Sequence, residues 1–149
     1  IAGFGAAARE ALTGLAEIDA VQVRRERIER MIREAVPQAV IHGEGAGRLP
    51  NTVFFSMPGI KAETAQIALD LAGIAVSAGS ACSSGKVGPS HVLKAMGYAD
   101  AGGALRVSIG RDTTDEDVEA FGTALQKFIA GRRRAAPRER SWTRLRKLE

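Results

Sequence analysis

The stretch Ala104–Gly131, "ALRVSIGRDTTDEDVEAFGTALQKFIAG", decides the fold. Its first residues, "ALRVSIG", read as a β-strand. The remainder opens on Thr114 and Asp117, the spacing of a capping box, and runs as a helix predicted to end at Gly131. A strand delivering a capped helix implies a sheet with helices laid on it, and the residues upstream repeat the theme. "PSHVLKAMG" starts with Pro89 in a first-turn position and stops at Gly97, a short helix. "IAVSAG" reads as a strand, and "KAETAQIALDLAG" as a helix closing on Gly73. "AVIHG" and "NTVFFSM" are short strands joined by "EGAGRLP" and expected to pair. From Gly3 to Ala35, Leu12, Leu15, Ile18, Val21, Ile28, Met31 and Ile32 recur near helical spacing until Pro37 stops the run, giving one long amphipathic helix or two. The order α, β-β, α, β, α, β, α predicts an α/β fold of α+β-like layering. A long N-terminal helix leads into a small, mainly antiparallel or mixed sheet covered by helices.

With 149 residues, 45% hydrophobic and 26% charged, the chain can bury one ordinary core with a helical appendage. Its formal charge of +4 is concentrated at the end, where "GRRRAAPRERSWTRLRKLE" carries eight Lys and Arg against two Glu. Trp142 is the only aromatic of that tail, which argues against nucleic acid as the partner. No apolar run approaches the roughly 20 residues needed to cross a bilayer, and the start "IAGFGAAAREAL" lacks the basic region of a signal peptide. A single cysteine excludes an internal disulfide. These features predict a cytoplasmic protein. The start has no initiator Met and enters a helix without a cap, so the sequence is expected to be a piece of a longer protein.

The lone thiol, Cys82, sits in "SAGSACSSGKVGPSHVLKAMG" among small residues that cannot bury it by their own packing. Free cysteine is more often a small buried hydrophobe, but here the neighbours favour an accessible thiol on a loop between strand and helix. Gly79 to Gly88 is expected to be the most mobile internal segment. Lys86 and the start of the following helix bring positive potential that would favour the thiolate. Cys82, His42 and His91 have no recognisable metal-ligand spacing, so no metal site is expected. His91, nine residues after Cys82, leaves a Cys-His hydrolase open, although a surface or capping role explains it as well.

"SAGSACSSGKVGPSHVLKAMG" followed by "ALRVSIGRDTTDEDVEAF" closely resembles the C-terminal part of NifS-like cysteine desulfurases, pyridoxal-phosphate enzymes of the aminotransferase class V fold family. "LPNTVFFSMPGIKAETAQIALDLAGIAVSAGSAC" extends the similarity upstream, and "IAGFGAAAREAL" looks like the helix linking large and small domains. The resemblance implies three parts: a linking helix over 1–35, the small C-terminal domain over 36–131, and a basic tail over 132–149. It also implies an activity, sulfur transfer from L-cysteine, with alanine released and a persulfide left on the loop cysteine, the place Cys82 occupies. Arg106 takes the place of the arginine that pairs with the substrate carboxylate, a task suited to a guanidinium fork on a rigid strand. The partners it implies are L-cysteine, a sulfur-acceptor or iron-sulfur scaffold protein, and a second copy in a homodimer; no membrane is among them.

The cofactor lysine of that family follows a His in the large domain. Here Lys61, Lys86, Lys94, Lys127 and Lys147 are the only lysines, and neither histidine precedes one. Pyridoxal 5'-phosphate is therefore expected to be held by an upstream large domain, with no cofactor-binding residue in this sequence and no desulfurase activity from it alone. The alternative is a stand-alone persulfide relay or protein-docking module. Arg111 is assigned to local structure or helix capping, and Asn51, in "RLPNTV", suits a turn before a strand as well as active-site support.

Overall fold

A computed structural model describes residues 1–79, 91–98 and 103–135 of the chain, leaving the side chains of His91 and Ala135 aside. The long N-terminal run forms two helices, α1 (Ala2–Gly14) and α2 (Ile18–Ala35), separated by a 3-10 turn over Leu15–Glu17. The break falls at Gly14, a poor helix former, and there the alkyl chain of Arg111 crosses the helix while its Nη1 donates to Glu10 Oε1 at 2.8 Å. None of the residues of α1 is buried, whereas α2 buries Val21, Ile28, Ile32 and Ala35.

Among the described residues four strands follow, interleaved with helices. They are β1 (Val40–Ile41), β2 (Thr52–Ser56), β3 (Ser77–Ala78) and β4 (Leu105–Ser108), set in the order β1-β2-β4-β3 with every pairing antiparallel. The expected pairing of "AVIHG" with "NTVFFSM" places Val40 opposite Ser56 and Ile41 opposite Phe55. Helices α3 (Ala62–Leu71), α4 (His91–Ala95) and α5 (Asp115–Ala135) complete the set.

Side chains alternate across the sheet. Ile41, Val53, Phe55, Leu105 and Val107 point to one face and meet Ile28 and Ile32 of α2, Ala65 and Leu69 of α3, and Val118, Phe121, Leu125 and Ile129 of α5 in one core. The ion pairs Arg24–Asp115 at 3.3 Å and Arg27–Glu119 fasten α2 to the first turns of α5 at the rim of that core. A more enclosed pair, Arg48 Nη1 to Glu29 Oε1 at 2.8 Å, pins the β1–β2 loop onto α2.

The helix ends obey local chemistry. In α5 the capping box forms as read: Thr114 N–H donates to Asp117 Oδ2 at 2.8 Å and Asp117 N–H to Thr114 Oγ1 at 3.2 Å. Its other end differs from expectation, because the helix continues through Gly131 to Ala135. Gly131 is not among the glycines with positive φ, and Arg132, Arg133 and Arg134 are good helix formers whose charge suits a helix C-terminus. α3 stops where predicted. Gly73, at φ 81°, donates to Asp70 O at 2.9 Å while Ile74 donates to Leu69 O at 2.9 Å, the paired bonds of a Schellman cap. That cap occupies the start of "IAVSAG", so β3 is only two residues long.

The core assignment separates two leucine-sized positions. Leu125→Ala, at a fully buried site, should lower unfolding stability by roughly 2–5 kcal/mol. Ile67→Ala, on the exposed side of α3 at 61% exposure, should change it by no more than about 0.5 kcal/mol. Equal losses in urea titrations of the two variants would refute this placement of the core.

Candidate functional site on the outer face of the sheet

The alternation that buries Leu105 and Val107 turns Arg106 and Ser108 to the opposite, outer face. β4 is an interior strand, so Arg106 lies between Phe54 of β2 and Ser77 of β3, its register partners on either side. Its Nη2 donates to Ser77 Oγ at 3.4 Å, a long bond, and the guanidinium forms no ion pair among the described residues. An arginine on a sheet edge holding a surface salt bridge would look different. Here the fork is presented from a rigid strand with donors left for an anionic group of matching geometry.

Asn51 extends the same ladder. Its carbonyl accepts from Ile109 N–H at 3.0 Å and its Oδ1 accepts from Thr52 Oγ1 at 3.1 Å, a structural role at the mouth of β2. Arg111 is placed as local structure, on Glu10 of α1. Cys82 and the loop around it, together with Lys86 and Pro89, lie outside the described residues.

The outer face also holds a cluster that sequence reasoning weighed only as a metal ligand. His42, just past β1, donates its backbone N–H to Phe54 O at 2.8 Å, and its Nε2 is hydrogen-bonded to Ser56 Oγ at 2.7 Å. The ring meets Phe54 at 5.2 Å between centroids and Tyr98 edge-on at 4.6 Å. His42 is 5% and Ser56 2% exposed, and Nδ1 of His42 is buried without a hydrogen-bond partner. Burial pushes the imidazole pKa down from its ordinary value, so the neutral ring is favoured. The period-two reading of "VIHG" against "TVFFS" puts His42, Phe54 and Ser56 on one face, a signal present in the sequence. Tyr98 arrives from beyond α4 and gave no such signal. Among the described residues no group of three His, Cys, Asp or Glu could hold a metal ion, and no helix is long and apolar enough to cross a membrane.

The Aminotransferase class-V family model matches residues 1–121, and the chain belongs to that family. A cysteine desulfurase from Gluconacetobacter diazotrophicus is 39% identical over 140 residues, covering 92% of this chain and 35% of that protein. Cysteine desulfurase NifS of Azotobacter vinelandii is 37% identical over the same shares. Among solved structures, a NifS-like protein from Rickettsia africae superposes with a TM-score of 0.73 at 30% identity, over 87% of this chain and 34% of that one. The chain thus spans about 35% of the length of the curated relatives it matches.

Enzymes of this family are in general pyridoxal-phosphate-dependent. The described residues do not fit that cofactor. Lys61, Lys94 and Lys127 are all exposed. Two surface clefts, of about 400 Å³ beside Glu34, Gln126 and Arg133 and about 190 Å³ beside Ile74, Thr113 and Asp117, contain no lysine.

The depressed His42 pKa has a stability consequence of defined sign. Between the folded value and the unfolded value near 6.5, the unfolded chain binds more protons, so stability rises with pH in that window. The contribution is complete above about pH 6.5 and is lost as pH falls through the folded value. Thermal melting of the wild type should therefore hold level from about pH 8 to 7 and decline on acidification toward about pH 5.5, and His42→Gln should remove part of that decline. Parallel melting curves for the two proteins across this range would contradict it.

Proposed function

We propose that this chain is the C-terminal, small-domain part of a pyridoxal-phosphate-dependent cysteine desulfurase, and that it supplies two groups to sulfur transfer from L-cysteine. Arg106 binds the substrate carboxylate through its guanidinium fork. Cys82 is the sulfur acceptor. Its Sγ takes the substrate sulfur as the substrate Cβ–S bond breaks and an S–S bond forms; the substrate carbon skeleton gains a proton and leaves as L-alanine. No external oxidant is required, because the electron pair of the broken Cβ–S bond stays with the substrate carbon, which is reduced to the methyl group of alanine while the two sulfurs are oxidised to the persulfide. The persulfide then passes its outer sulfur to an acceptor, for which an iron-sulfur scaffold protein is proposed, and the working enzyme is proposed to be a homodimer.

The observation that carries this reading is Arg106 itself, an exposed guanidinium on an interior strand with no carboxylate paired to it among the described residues. Support comes from the family and from relatives named cysteine desulfurase at 37–39% identity. The cofactor, when bound, supplies the electron sink for breaking the Cβ–S bond; the residues that hold it are proposed to lie in the part of the protein not represented by this chain. The linking role of residues 1–35, the small-domain assignment of 36–131 and the tail from 132 belong to the same proposal.

The test uses the full-length protein. Arg106→Ala should weaken L-cysteine binding about ten- to a hundredfold, because hydrogen bonds to charged groups are worth roughly 1.5–3 kcal/mol. Cys82→Ala should leave binding nearly intact while abolishing persulfide and alanine. Binding is read from the cysteine-induced spectral change of the cofactor, turnover from alanine release. Normal cysteine binding by Arg106→Ala, or alanine release at the parent rate by Cys82→Ala, would withdraw the role of that residue.

A further inference from the structure

His42 and Ser56 form the most enclosed polar pair on the outer face of the sheet, and the function proposed above uses neither. Among the described residues, the turn that ends α4 lies against His42. Gly97, at φ 85°, donates to Lys94 O at 3.1 Å and Tyr98 N–H donates to Leu93 O at 2.7 Å. These are again the bonds of a Schellman cap, which fixes the backbone of Tyr98 relative to the helix. The phenol ring then rests on the His42 imidazole at 4.6 Å with an interplanar angle of 72°. Leu93 is buried yet stands apart from the main core. α4 is thus seated on the face opposite α2, α3 and α5, and the His42–Tyr98 contact marks the seat.

We propose that neutral His42 is a positioning residue for α4: clamped by Ser56, it provides the surface on which Tyr98 docks, and protonation of the ring releases Tyr98 and loosens the helix. Among the described residues the ring faces no carboxylate that an imidazolium could pair with. From β2 come Phe54 and Ser56, both neutral, and from the α4 turn the Tyr98 phenol; Lys94 on α4 is exposed. In the loop after His42, Glu44 is engaged by Arg33 and Arg48 by Glu29, both on α2. Arg106, beyond Phe54 on β4, is a further cation. A charge on a ring so enclosed has to regain water, and the exposed side of the cluster is the Tyr98 lid. Burial already disfavours the charged ring, in agreement with this geometry. In sequence α4 directly follows the segment bearing Cys82, so the consequence for sulfur delivery rests on the function proposed above; the docking itself does not.

The chain suits a direct measurement, having one tyrosine and two histidines. With ring-labelled His and Tyr, NMR spectra between about pH 8 and 5 should show the Tyr98 ring leaving its docked position with the same midpoint as His42, below the ordinary value of about 6.5. His91→Gln should leave the transition in place. His42→Gln, which keeps a neutral amide in reach of Ser56, should hold Tyr98 docked throughout. A Tyr98 signal that stays constant while His42 titrates, a His42 midpoint at or above 6.5, or a persisting Tyr98 transition in His42→Gln would each overturn the proposal. If His42→Gln does not fold, the coincidence of the two wild-type midpoints decides, and separate midpoints overturn it. No step uses cofactor or L-cysteine, so this result and the Arg106 assay fail independently.

Discussion

Everything in this structure hangs on the antiparallel pairing of β2 with β4. Four register pairs, Thr52 with Ser108 through Phe55 with Leu105, lock two strands whose side chains alternate between a dry face and an open one. The inward set, Val53, Phe55, Leu105 and Val107, gives α2, α3 and α5 something to pack on, each large side chain contributing about 1.5–3 kcal/mol on burial. The outward set puts Phe54 beside Arg106. Core and candidate site are therefore one decision: a slip of one residue would drive a guanidinium into the core and turn Leu105 and Val107 to water.

Most of this could be read in the sequence wherever one local rule governed. The Thr114–Asp117 box, the stop at Gly73 and the strand character of "TVFFS" each depend on residues within a few positions of one another, and each appears as expected. Arg106 is singled out by the family resemblance, and the strand that carries it forms as read. What escaped was set by partners distant in sequence. Gly131 carries the C-cap signature, yet the arginines after it sustain the helix to Ala135. His42 looked like a stray ligand because Ser56 lies fourteen residues away and Tyr98 reaches it from another element entirely.

The buried charges show a different economy. Glu29 accepts from Arg48 at 2.8 Å and 3.4 Å, and Arg25 lies 3.9 Å away through its Nε, which is buried without a hydrogen-bond partner. Two cations around one carboxylate are a poor way to gain stability, since desolvation offsets most of the attraction. Such a pair does select geometry. It ties the loop between β1 and β2 to α2, and with Asn51 bonded to Ile109 it fixes where β2 begins.

α1 stands outside this cooperative unit. None of its thirteen residues is buried, Phe4 is 83% exposed, and the exposed Glu10–Arg111 pair ties it to the body. An isolated helix of that length is marginal in water, and a surface ion pair adds little. Its amides should then exchange with solvent through fraying alone, at free energies close to zero, while those of α2 wait for global opening. Within this chain taken by itself the cooperative unit begins at Ile18, so the heat and denaturant dependence of its unfolding report on α2 onward and are nearly blind to the first turns.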